Sequence, residues 1–290
     1  MFTDMFGNKR YKLNLHTHTL RSDGWVEPEE AARIYKEAGY DAISLNDHWV
    51  VEPGSVMSGL PIYSGCEYNF GIDPTEDGYV YHILSIMHDR DPMVELTDSP
   101  QVCINKIIAA GGIPVLAHPA WSLNDPAVFL ELEGIEFTEI HNTISGKHNY
   151  CRPYSGGFID LVACRGKLMK LFASDDTHHY DGDHTVASVM VKADSLDPAD
   201  VKKALKAGDF YATTGPELHV TLSESTIEID CSPCVTVDTF SNAVAARQHH
   251  IVGENMTHVS VPINKIDKFV RVEATDAEGR TAYSNFIKIR

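Results

Sequence analysis

Positive charge is scarce in this chain. Its 290 residues carry 24 Lys and Arg against 41 Asp and Glu, a formal net charge of −17. No run of basic residues offsets that balance, so a nucleic-acid duplex or an anionic membrane surface is not an expected partner. Any apolar stretch approaching the ~20 residues that cross a bilayer is also missing. The opening Met1-Phe2-Thr3-Asp4-Met5-Phe6-Gly7 has neither the basic region nor the apolar core of a secretory signal. Cysteine is sparse, with six in the chain, and without a secretory signal reduced thiols in the cytoplasm are expected. Cys231-Ser232-Pro233-Cys234 reads as a strand edge with a turn proline; a zinc site would need a second ligand pair, for which His249-His250 is the only candidate. No G-x-S-x-G elbow presents a serine nucleophile, and no glycine-rich loop cradles a nucleotide. Internal repeats and low-complexity tracts are lacking.

What is present is an ordinary core, 43% hydrophobic and 22% charged. Strand-like runs occupy 12–19, 42–47, 60–68, 79–87, 113–117, 136–142, 168–174 and 186–192. Helix signals lie between several of them. Ala31, Ile34, Tyr35 and Ala38 fall at helical spacing, with Glu29 and Glu30 near the start and Gly39 at the end. Asp125-Pro126 and Asp197-Pro198 are cap-plus-proline starts, and Gly208 closes the second helix. Such alternation predicts an α/β domain over 1–214 with a largely parallel sheet or βα barrel. Near Thr214-Gly215-Pro216 the character changes. Residues 215–290 show short alternating strands and a hairpin signal at Asp276-Ala277-Glu278-Gly279, which predicts a small all-β, sandwich-like domain.

The chemistry sits at the strand ends. His16 and His18 alternate on the first predicted strand, so both imidazoles share one face. Asp23 follows five residues after His18, with Gly24 beside it. Asn46-Asp47-His48, Gly65-Cys66-Glu67, His82, Ala117-His118-Pro119, Glu139-Ile140-His141-Asn142 and Ser174-Asp175-Asp176-Thr177-His178 lie in or at the ends of later runs. In a βα barrel, strand ends converge on one face. Buried imidazoles and carboxylates in such number are costly unless paired or metal-bound. Imidazole with carboxylate suits divalent transition metals. Asp176 is preferred to Asp175, because Asp-x-His puts both side chains on one face, and His82 is preferred to His88, which reads as a loop residue.

The ordered set resembles the PHP superfamily, named for polymerase and histidinol phosphatase, over about residues 11–214. The tail, with Cys231-Ser232-Pro233 and Phe269-Val270-Arg271-Val272-Glu273 leading to Ser284-Asn285, resembles the β-domain of the carbaryl-hydrolase-like branch. The resemblance implies a distorted seven-stranded βα (TIM-like) barrel and two to three divalent ions, zinc, manganese or iron. One ion would take His16, His18 and Asp176, a second His82 and His118, with Glu67 bridging them, and a third Asp23, His48 and His178. It implies a phosphoesterase that hydrolyses a small phosphorylated metabolite or nucleotide by attack of a metal-bridging hydroxide. Glu67, Asp176 and His178 would be catalytic, with His178, His179 or a bound water as proton donor. Arg21, His141, Asn142, Arg152 and His179 are candidate substrate contacts, and Lys147 and Arg152 lie in a loop over 143–157 that could overhang the site. A carbamate-type ester or amide hydrolase and a non-catalytic, metal-stabilised module are the alternatives. Exposed strand edges in the β-domain would favour a homo-oligomer.

Overall fold

In the computed structural model, which describes residues 1–245 and 249–290, the strand runs are present but shorter than the sequence suggests. Lys9–Asn14, Ala42–Ser44 and Leu60–Tyr63 pair in parallel. The chain then breaks at Ser64 and enters a second sheet. There Gly65–Phe70, Tyr81–Ile86 and Ile113–Leu116 pair antiparallel, followed by Phe137–Asn142 and Lys170–Ser174 in parallel. Ser188–Val191 returns antiparallel against Lys9–Asn14.

Helices pack where the periodicity placed them. Pro28–Glu37 buries Ala31, Ala32 and Tyr35, and Ala32 and Tyr35 share a core with Ile43, Leu45, Leu60 and Ile62. Pro198–Ala207 ends at Gly208, whose φ of 82° is the left-handed cap expected there. Asp125-Pro126 opens only the short helix Pro126–Phe129. Two helices have weaker sequence signals. Pro100–Ala109 is capped by the Ser99 side chain, and Gly156–Cys164 begins on two glycines, the poorest helix formers after proline. Among the described residues no helix is long and apolar enough to cross a membrane.

The expected closed barrel is corrected by the sheets themselves. Among the described residues the strands form a 13-stranded and a 5-stranded sheet, neither closed on itself. The edges of the two are joined by isolated bridges, Thr17 to Thr177 on one side and His48 to Glu67 and Glu52 to Gly65 on the other. Continuous pairing fails there because the segments that carry polar side chains leave the extended conformation. Asp176 has φ 54° and Trp49 58°. A shared core nevertheless unites both sheets, with Leu13, Leu15 and Val189 packed among Leu84, Ile86, Val115 and Phe172.

Residues beyond 214 continue the larger sheet, because Thr281–Tyr283 pairs with Phe210–Thr213. Phe269–Thr275 and Thr281–Tyr283 form the hairpin read from Asp276–Gly279, with Gly279 at φ 79°. Thr226–Ser241 runs for 16 residues through a core of Ile227, Ile229, Val237, Val261, Val270 and Val272. Cys231 and Cys234 are both buried in that core. They lie within the strand and not at a turn: register shifts on either side of Cys234 let two residues three apart face the same way. All six cysteines are free.

Candidate metal centre

Although the first strand ends at Asn14, the chain stays extended through the Thr17 bridge. His16 and His18 therefore still face one way, with their Nε2 atoms 3.1 Å apart. Glu67 Oε2 lies 3.1 Å from His16 Nε2 and 2.9 Å from His18 Nε2. Asp176 Oδ1 is 3.1 Å from both. The other Glu67 oxygen, Oε1, faces His82 Nδ1 at 2.8 Å and His118 Nε2 at 3.4 Å. Asp23 closes a third group: Oδ1 is 3.5 Å from His18 Nδ1 and 3.4 Å from His178 Nε2, and Oδ2 is 3.6 Å from His48 Nε2. The nine residues named from the sequence thus share one site, in three groups whose potential ligand atoms lie within 4.8 Å of one another.

This donor set fits divalent metal ions. It combines neutral-capable imidazoles with three carboxylates, and His16, His18, Glu67, His118 and Asp176 are buried. Asp176 Oδ1 and His48 Nδ1 are buried without a hydrogen-bond partner, as expected of atoms arranged for an ion. Burial should raise the pKa of Glu67 and Asp176. The facing imidazoles outweigh it and hold both carboxyls well below the usual range. The reverse holds for His18: burial opposes its charge, yet Asp176 and Glu67 push it up to about 10. A site of this polarity concentrates cationic charge.

Around the nine, other side chains fix ring orientation. His16 Nδ1 meets Glu139 Oε1 at 2.8 Å, leaving Nε2 for a ligand. The second Glu139 oxygen accepts from the His118 backbone N–H at 2.9 Å and from Asn142 Nδ2 at 2.7 Å. His118 Nδ1 lies 3.1 Å from Ser122 Oγ. Asp47 accepts from the backbone and hydroxyl of Thr19, both at 2.7 Å, and so holds the segment between His18 and Asp23. Gly65 is required by close approach, since a Cβ there would lie 2.1 Å from the Leu45 carbonyl oxygen. Glu139, Asp47 and Ser122 were not singled out from the sequence. Glu139 and Asp47 stood beside the residues that were, at the same strand ends. Glu139→Gln is expected to weaken metal affinity by about 10–100-fold, read by competition with a chromogenic chelator, while the fold is retained.

Asp176, not Asp175, joins the cluster. Asp175 is turned into the interior, where it accepts from Tyr35 Oη at 2.9 Å, Thr143 Oγ1 at 2.9 Å and the Ala187 N–H at 2.7 Å. Burial pushes its carboxyl up to about 6 in spite of those donors. His88 bonds Ser85 Oγ, apart from the groups that hold His82.

The candidate substrate contacts separate. A cavity of about 260 Å³ opens over the cluster, and His179 lines it with Trp121, Ile144, Ser145 and Tyr150. The 143–157 segment thus does overhang the site, but through those last three residues; Lys147 and Arg152 are not among the lining. Arg21 is paired with Glu52. Asn142 sits beneath the cavity, donating to Asp176 Oδ2 at 3.1 Å. His141 points elsewhere and stacks on Tyr283, where burial pushes its pKa down to about 4. A bulge between Glu139 and His141 changes the strand's parity, so Glu139 and Asn142 reach the site and His141 does not. A further group, His148, His179 and Asp183, lies beside the cavity, and Asp183 accepts from the backbones of His178 and His179.

No family model matches the chain, and no curated protein gives a significant match. Solved structures do. A two-domain protein from Bacteroides vulgatus, described as containing a predicted PHP-like metal-dependent phosphoesterase, is 16% identical, with a TM-score of 0.54 over 99% of this chain and 98% of that one. An amidohydrolase from Chromobacterium violaceum is 14% identical over 67% of this chain and 96% of its own, but its TM-score of 0.47 is too low to bear on the argument. This chain therefore shares its fold, over nearly its whole length, with that two-domain protein.

Proposed function

We propose that the chain is a metal-dependent phosphoesterase acting on a small phosphate ester. The observation that carries this reading is the two-sided placement of Glu67, whose oxygens face separate histidine groups at 2.8–3.4 Å. Divalent ions held by these groups would polarise a phosphoryl oxygen and make water a competent nucleophile at neutral pH. Asp23, Glu67 and Asp176 offset part of the ions' charge, leaving a site that attracts a phosphate dianion. Hydrolysis adds water oxygen to phosphorus and breaks the bond to the leaving oxygen, which needs a proton. His179 is the best-placed donor: it lines the cavity, its Nδ1 is turned 3.5 Å from Asp183, and Nε2 remains for the leaving oxygen. His178 is less suited, because its Nδ1 lies 2.7 Å from the Asp176 carbonyl oxygen and its Nε2 faces Asp23. The work falls to residues 1–214, with 215–290 as a supporting β-domain.

Purified protein is expected to contain zinc, manganese or iron and to release phosphate from members of a monoester and diester panel. Chelation should reduce the rate by at least about 100-fold, and re-addition of metal should restore it. Metal-replete protein that releases phosphate from no ester would overturn the reading. Faster turnover of aryl acetates or carbamates than of aryl phosphates would favour carbonyl hydrolysis instead.

A further inference from the structure

The cavity is unusual for its lack of basic side chains. Among the described residues no Lys or Arg lines it, and Arg21, close by in sequence, is committed to Glu52. A phosphoryl group would be met by ions and imidazoles. A second anionic group on the same substrate would find no cation, and three carboxylates already belong to the site. The organic part of the substrate therefore carries no second anionic group.

Its shape is indicated by the walls. Trp121 follows His118 by three residues, in a turn held by the Ser122 N–H bonding the His118 carbonyl at 3.1 Å. The indole stands edge-on to His118, 5.0 Å between centroids, and to His82 at 5.6 Å. Tyr150 continues that wall 5.9 Å further on, and buried Ile144 joins it. Tyr150 is 47% exposed, so its ring stands at the mouth. On the His178 side, His179 is backed by Trp25, edge-on at 4.5 Å. Trp121 alone of the tryptophans lines the cavity, and Trp25 supports its rim from behind His179. Flat π-faces beside a metal centre accept flat apolar groups through stacking and area burial.

We infer that the substrate class is an aromatic phosphate monoester: one phosphoryl group on an aryl leaving group that carries no second anion and lies against Trp121 and Tyr150. This rests on the phosphoesterase reading above. Calorimetric titration of metal-loaded protein with phenylphosphonate and methylphosphonate tests it without turnover or leaving-group effects. Phenylphosphonate is expected to bind at least about tenfold tighter. Trp121→Ala should bring the two within about twofold, and Tyr150→Ala should reduce the preference by about threefold, both with unchanged metal content. Equal binding of the two phosphonates to the unaltered protein would overturn the aromatic slot and leave the phosphoesterase reading standing. Binding of neither would bring down both. If Trp121→Ala loses its metal while Tyr150→Ala keeps the full preference, Trp121 serves to hold His82 and His118, and the inference fails.

Discussion

Glu67→Ala is expected to lose metal from two groups at once and to lower kcat/KM on any phosphate ester by at least about 10³-fold. The reason is geometric. One oxygen of Glu67 serves His16, His18 and Asp176, and the other serves His82 and His118. Asp176 also reaches both sets, but less closely: its Oδ2 lies 3.6 Å from His118 Nε2, and no contact joins it to His82. His118→Ala, which removes a ligand from one set, is expected to lose less metal. Glu67→Gln keeps the shape but removes the charge, and should fall between the two. Elemental analysis after dialysis against a weak chelator, alongside turnover, checks the order. A Glu67→Ala protein with full metal content and activity would remove the basis for the bridging assignment.

Arg271→Ala is expected to destabilise the protein by about 3–5 kcal/mol, the cost of breaking a buried ion pair from one side. Arg271 is fully buried. Its guanidinium donates to both Asp160 oxygens at 2.7 Å, pairs with Glu273, and lies 3.9 Å above the centre of Phe240. Burial raises the Glu273 carboxyl in spite of that partner, and without the arginine the carboxylate would be left buried and uncompensated. Asp160→Asn should cost far less, because Asp160 keeps access to water and Glu273 remains paired. Urea titrations of both variants give the comparison; a midpoint for Arg271→Ala within error of the unaltered protein would refute the assignment.

Much of the site was legible because metal ligation restricts residue types. Histidine and carboxylate at successive strand ends need no tertiary knowledge to be noticed, and all nine such positions converge. A parity argument held at His16 and His18, where the backbone kept its period, whereas Asp176 reaches the cluster from a left-handed backbone. His141, a candidate substrate contact, is turned away by a bulge that local sequence does not announce. Closure of the barrel was not legible, since whether neighbouring strands keep pairing depends on φ values such as those of Asp176 and Trp49. Trp121 escaped notice because an aromatic three residues beyond a ligand reads as core. Glu139 escaped because its acceptor role depends on His16 and Asn142.

The junctions between the two sheets carry only isolated bridges, one at Thr17 and two at His48 and Glu52, and the ligand groups are unequal with respect to them. Glu67, His82 and His118 all belong to the five-stranded sheet or its loops. The groups containing His16 and His18 draw partners from both sides, through Asp176 and Glu67 in one and His178 in the other. An ion in either of those two groups would be a clasp, holding together halves that the backbone barely stitches, and binding energy there would also be folding energy. An ion between His82 and His118 would sit inside one half and clasp nothing. Chemically alike ions would therefore contribute unequally to the architecture, and stripping them one at a time would loosen the molecule in steps set by location, not by affinity alone.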